Sequence, residues 1–418
     1  MTDTVRAQYE AYPYPARDPK DEAKRLVTGS PSGWPEVRHH LFSGGYPNGT
    51  ADGRTVKALV AGGGTGDGLI LLAQTLADAG TRAEITYLDL SAASRRIAEA
   101  RARARGLSPM IRFVTGSLID IASIDPGPYD YIDCCGVLHH LPDPDLGLQA
   151  LAHVLRPEGG MGIMVYAPHG RDGVYPLQSA LRTLTEGVDP AERVKVAKRV
   201  IARLPPTNGF VRNPFVGDHK QSDAGLYDLL LHSQDRPYTV DGLYEWVERA
   251  GLAVASMVPP LAYDPDPLLP DAAIRRQMGG KSPRARAALA EQLSGNIKTH
   301  IAYVVRPERI SGCHADLQDH SLIPTPWMFD TQAVAQKLKP GAPLPITFNG
   351  LKHRVALPPL APAILSRIDG ERSLSEIATS LSGGRDTEDR ARQVSQTVAT
   401  LIAAGRMVLL RPKATGTP

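Results

Sequence analysis

The chain is short of several things, and each shortage excludes something. Its 418 residues include three cysteines, Cys134, Cys135 and Cys313. That is too few for a disulfide framework or a cysteine metal cluster, so they read as free thiols in a reducing compartment. No apolar run reaches the roughly 20 residues that a membrane-spanning helix needs. Charge of neither sign dominates: 47 Lys and Arg stand against 44 Asp and Glu, a net +3, so nothing calls for nucleic acid or a membrane surface. The first residues lack the apolar core of a signal peptide, and a cytoplasmic protein is expected. What is present, 42% hydrophobic and 22% charged residues, is globular composition over a length that suits two or three domains.

The most informative stretch is Leu59 to Gly68, with glycine at 62, 63, 64, 66 and 68 between an apolar run and a helical pattern. Glycines there let the chain turn sharply and let a ligand approach the free N–H groups of a helix N-terminus. A dinucleotide frame G-x-G-x-x-G/A started at Gly62 puts Asp67 where a small residue must pack. No Lys follows the glycines, so a P-loop is excluded as well. G-x-G-x-G at Gly62, Gly64 and Gly66 remains.

With the segments that follow, this loop resembles the S-adenosylmethionine (SAM) loop of class I methyltransferases of the bacterial small-molecule type. Ile85–Asp89 is an apolar strand ending in an acid about twenty residues on, where a carboxylate binds ribose hydroxyls. Ile111–Ser117 resembles the third strand and its adenine-side turn, Tyr129–Leu141 the fourth strand and its Leu-His-His-Leu helix start, and Leu155–Gly160 the turn into a fifth strand at 161–167. Two positions depart from the family. Val60 stands where an acid usually precedes the first glycine, which removes a partner for the methionine ammonium group and leaves Asp67 or an N-terminal residue to substitute. Ser117 stands where the third motif usually ends in an acid.

The resemblance implies an α/β fold: a Rossmann-like seven-stranded methyltransferase sheet with a helical cover insertion, plus a small C-terminal α+β winged-helix-like domain. Residues 1–50, rich in Pro, Gly and Tyr, form a lid segment at the mouth. Residues 51–168 are the SAM-binding core, in which short strands alternate with helices. Residues 169–237 break the alternation as a substrate cover, residues 238–306 complete the core, and the final strand pair is antiparallel. In residues 307–418, prolines 324 and 326 mark a linker, and an Asn349-Gly350 hairpin, three helices and a closing strand follow. That unit faintly resembles peptide-chaperone-type modules. Its long helix mixes Glu388 and Asp389 with Arg390 and Arg392 and offers no basic reading face. The arginine-rich helix from Ser94 to Arg105 reads as a solvated face.

The site implied is a crevice beyond the strand ends. Cofactor-binding residues are Gly62, Gly63, Gly64, Gly66, Asp67, Asp89, Leu90, Ser117, Leu118 and Cys134, with Asp89 on the ribose and Leu90 and Leu118 on the adenine. Methyl transfer is an in-line displacement that discharges a sulfonium, so positioning and water exclusion matter most. A base is needed only for a protonated nucleophile, and the catalytic candidates are His169, His139, Asp218, His219 and Tyr14. Substrate contacts are expected from Tyr9, Tyr12, Tyr166, Asp235, Arg236 and Tyr238. A metal at Asp218, His219 and Asp223 is not expected. The acceptor is a small molecule or a peptide or protein side chain, and no nucleic-acid or membrane partner is expected. An oligomer is left open. The alternative is a catalytically silent SAM-binding sensor or scaffold.

Overall fold

Seven strands carry the core, and the computed structural model describes residues 3–47, 54–382 and 387–412. The strands are β1 (Val56–Ala61), β2 (Ala83–Asp89), β3 (Ile111–Thr115), β4 (Tyr129–Cys135), β5 (Leu155–Tyr166), β6 (Ala253–Val258) and β7 (Thr299–Val305). Their order is β3-β2-β1-β4-β5-β7-β6. All run parallel except β7, which inserts antiparallel between β5 and β6. The central strands are near-continuous runs of Val, Ile, Leu and Ala because helices cover both faces. One face packs Leu59, Ile132, Cys134, Ile163 and Trp246; the other packs Val60, Tyr131, Tyr303 and Trp34. The expected turn before strand five is instead a bulge: Tyr129 pairs with Leu155 and Tyr131 with Gly160, so the intervening residues loop out of one continuous strand.

Before β1 come helices α1 (Asp3–Ala11), ended by Pro13, and α2 (Trp34–Leu41); the boundary proposed at residues 50 and 51 lies outside the described residues. Trp34, Val37 and Leu41 of α2 are buried in the sheet's second face, so this helix is core and not lid. After β1 and β2 come α3 (Asp67–Asp78) and α4 (Ala92–Ala104). The face of α4 is not simply solvated. Arg101 is fully buried, its Nε donating to Glu22 Oε1 at 2.6 Å and its Nη1 to Asp67 Oδ1 at 2.7 Å, and Arg105 also reaches Glu22. These arginines hold the N-terminal segment against the core.

Residues 174–231 have their own apolar cluster, with Val174, Leu177, Leu181, Phe210, Leu226, Leu229, Leu230 and Leu231, and Tyr12 packs against it. Beyond β7, a further cluster joins Leu322, Leu344, Ile364, Ile377, Val398 and Leu409 with Leu261 of the core. The hairpin β9 (Leu344–Phe348) and β10 (Leu351–Val355) turns at Asn349 and Gly350, where both residues have positive φ. Residues 323–326, read from their prolines as a linker, form strand β8 (Ile323–Pro326), which pairs antiparallel with β11 (Met407–Leu410). Among the described residues it pairs with β11 alone and so is an edge strand, where missing proline N–H groups are tolerated.

Candidate active site

A cavity of about 510 Å³ opens at the carboxyl ends of β1, β2 and β4. Its floor is the glycine loop, and the loop has its shape because side chains would not fit. A Cβ on Gly62 would strike Val137 and one on Gly63 would strike Tyr87, while Gly62, Gly64 and Gly66 hold positive φ. Asp89, at the end of β2, accepts from Gly64 N at 2.8 Å through Oδ2 and from Ser91 N at 2.8 Å through Oδ1. Burial raises its pKa while these backbone donors pull it down. Each carboxylate oxygen keeps acceptor capacity for a further donor, which suits a ribose diol. Leu88, Leu90, Leu118 and Val137 supply apolar wall beside it. The cradle therefore fits a nucleoside: two acceptor oxygens, apolar walls and a loop without side chains.

The N-terminal segment roofs this cradle. Thr65 Oγ1 donates to Pro15 O at 2.7 Å, and Arg17 Nε donates to Asp67 Oδ1 at 2.8 Å. Glu10 caps the start of α4, its Oε1 accepting from Ala92 N at 2.5 Å. Tyr9, Tyr14, Pro15 and Arg17 all line the cavity. Asp67, tied to both Arg17 and Arg101, is held below its ordinary carboxylate range by Arg17 and Arg101 against the opposing effect of burial.

Another part of the cavity wall is built around Asp228, in the helical turn Tyr227–Leu231. Its Oδ2 accepts from Tyr166 OH at 2.8 Å, its Oδ1 from Tyr9 OH at 3.2 Å, and burial raises its pKa. The Arg171 guanidinium lies 3.7 Å from the Tyr166 ring centre, and the His232 ring stacks on His140 at 3.8 Å. Gln234 fixes both imidazoles: its carbonyl accepts from His140 Nδ1 at 2.8 Å, and its N–H donates to His232 Nδ1 at 3.1 Å. Burial pushes the His232 pKa down, so that ring is neutral. One donor atom each from His140, Asp228 and His232 lie within 4.8 Å of one another, as do those of His139, His140 and Asp235. Asp218, His219 and Asp223 form no such group among the described residues.

Of the residues singled out from sequence, Gly62, Gly63, Gly64, Asp67, Asp89, Leu90, Leu118, Tyr9, Tyr14, Tyr166 and Asp218 line the cavity. The others do not. Gly66 caps α3 from below the loop, and the Ser117 hydroxyl caps the next turn, accepting from Ile119 N. Cys134 is fully buried in the core, and its neighbour Cys135 lines the cavity instead. His139 is buried behind Tyr166, ring centres 4.2 Å apart, and neither ring nitrogen has a partner among the described residues. His169 is exposed, and Arg171 two residues on takes the wall position. His219 packs on Phe210 at 4.9 Å, and Tyr12 stacks on Tyr227 at 5.2 Å. Asp235 is buried against Gln178 and Arg171, Arg236 is exposed, and Tyr238 stacks on Trp246 in the core. Sequence reasoning missed Asp133, His140, Arg171, Asp228, Lys298 and Asn349, all of which line the cavity. For His140 and Arg171 the signal was one or two residues away from those chosen.

Residues 59–161 match the family model described as a methyltransferase domain. An uncharacterized protein of Synechococcus sp. is 33% identical over 311 residues, spanning 72% of this chain and 71% of its own. The ubiquinone biosynthesis O-methyltransferase of Alkalilimnicola ehrlichii is 26% identical over 254 residues, 56% of this chain and 96% of that one. The structure of PKMT2 from Rickettsia typhi in complex with AdoHcy superposes with a TM-score of 0.63 at 16% identity, covering 93% of this chain and 77% of that one. Together with the sheet order and the glycine cradle, these similarities place the chain among the class I SAM-dependent methyltransferases, with SAM as its cofactor.

Proposed function

We propose that the acceptor is a nucleophile that must lose a proton, an amine or a hydroxyl, and that it enters the cavity between Tyr14, Asp218 and Asn349 to meet Asp228. The observation that carries this is the Asp228 carboxylate, buried, lining the same cavity as Asp89, and oriented by two tyrosine hydroxyls. Bound in the cradle, SAM supplies a methyl group on a positively charged sulfur. The residues of this chain then have three tasks. The N-terminal roof excludes water, the tyrosines fix the acceptor group, and Asp228 takes its proton. A carboxyl whose pKa is raised by burial holds such a proton better than an exposed one. The ubiquinone biosynthesis relatives carry O-methyltransferase in their names, which agrees with a hydroxyl acceptor. A side chain of a peptide or protein is equally compatible with a cavity that reaches the surface at a hairpin tip.

Asp228→Asn keeps the shape and removes the base. Turnover should fall by about 100-fold or more, while SAM affinity stays within about threefold, less than 1 kcal/mol. Unchanged turnover would sink the assignment. Incubation with labelled SAM and a host lysate resolves the acceptor class, since label in small-molecule fractions or in protein bands answers it directly.

A further inference from the structure

The loss of the acid at Val60 has a counterpart on the neighbouring strand. Val60 of β1 pairs in register with Asp133 of β4, and both line the cavity beside the glycine loop. Asp133 is 2% exposed, and its Oδ1 has no hydrogen-bond partner among the described residues. The Ser30 hydroxyl is likewise buried and without a partner among the described residues and lines the same cavity, while the buried Ser32 hydroxyl lies against the Asp133 carboxylate. A buried carboxylate left unsatisfied costs free energy unless something else satisfies it.

The helix that follows the loop is shaped around this carboxylate. A Cβ on Gly68 would sit 2.5 Å from Asp133 Oδ2 and 3.0 Å from Ser32 Oγ. Gly68 carries no positive φ, so its lack of a side chain serves space and not backbone conformation. Asp67, the substitute suggested by the sequence, is already tied to Arg17 and Arg101.

We infer that Asp133, with the Ser32 hydroxyl beside it and the Ser30 hydroxyl on the wall of the same cavity, is the receptor for the α-ammonium group at the amino-acid end of SAM and of its demethylated product. This rests on the cradle being the SAM site. The chemistry is complementary: an ammonium brings three donors and a positive charge, and the pocket offers one carboxylate and hydroxyl acceptors at a depth where water is excluded. The acid has moved one strand sideways from β1 to β4 and still faces the same loop. Burial pushes the Asp133 pKa up to about 7, and a bound cation would draw it down.

The test compares three ligands by calorimetry on the full chain: SAM, AdoHcy and 5′-methylthioadenosine, which keeps the nucleoside and lacks the amino-acid end. Asp133→Asn is nearly isosteric and leaves no buried charge. It should weaken SAM and AdoHcy at least about tenfold while 5′-methylthioadenosine changes less than about twofold. Gly68→Ala, which displaces the carboxylate without touching its charge, should give the same selective loss. Equal loss of all three ligands in both variants, or no loss of any, overturns the inference. If the wild-type chain binds none of the three, the cradle assignment itself has failed.

Discussion

Asp89 braces the glycine loop and also lines the cavity. Its oxygens take the Gly64 and Ser91 N–H groups, so it fixes the loop that the nucleoside lies against before any ligand arrives. Asp89→Ala removes both the ribose acceptors and that brace. SAM affinity should fall by about 1.5–3 kcal/mol or more, about tenfold at least, when measured by calorimetry. A variant that binds within about threefold of wild type would contradict the site. The placement of Asp89 at a strand end on the cavity wall was legible in the sequence, because a fixed spacing past a glycine loop is a local feature. Cys134 was misjudged for an equally local reason. Side chains alternate across a strand, and one step of parity decides that Asp133 and Cys135 face the cavity while Cys134 faces the core.

Among the elements, the N-terminal segment is the one whose role depends on partners far along the chain. Residues 3 to 17 touch four regions: Glu10 caps α4, Thr65 Oγ1 holds Pro15, Arg17 holds Asp67, and Tyr9 reaches Asp228. Tyrosine and proline density announced a packed segment. It could not announce Asp228, which is 219 residues away from Tyr9. Deleting residues 1–16 should leave a folded chain, since the sheet faces lose little apolar contact, but open the roof and lower turnover by about tenfold or more. Unchanged steady-state kinetics would reduce the segment to a tail.

Across the whole molecule, the C-terminal residues sit on the core more closely than a tethered unit would. Leu409 N donates to His39 Nδ1 at 3.1 Å and Arg411 N donates to Gly44 O at 2.8 Å. The Trp327 indole occupies the space beside Gly33. Glu36 is buried at this seam, where burial pushes its pKa up to about 7. At the other end, Asn296 Nδ2 donates to Phe348 O at 3.0 Å and Asn349 lines the cavity. From sequence, removal of residues 311–418 should spare SAM binding; among the described residues beyond that point, Asn349 lines the cavity. The seam adds a stability cost: the truncated chain should melt roughly 5 °C or more below the full one, because α2 loses its cover. Equal melting temperatures would show that the seam contributes nothing.

The sequence by itself determined the glycine loop, the acid at the end of β2 and the alternation that builds the sheet, because these depend on backbone conformation and short-range periodicity. Only the tertiary structure brings Asp228 and His140 to one cavity, ties Glu22 to Arg101 and Arg105, and sets Asp133 in register with Val60. Those groups meet across strand register and long loops, and their pairing depends on which side chain faces which way once the sheet has closed.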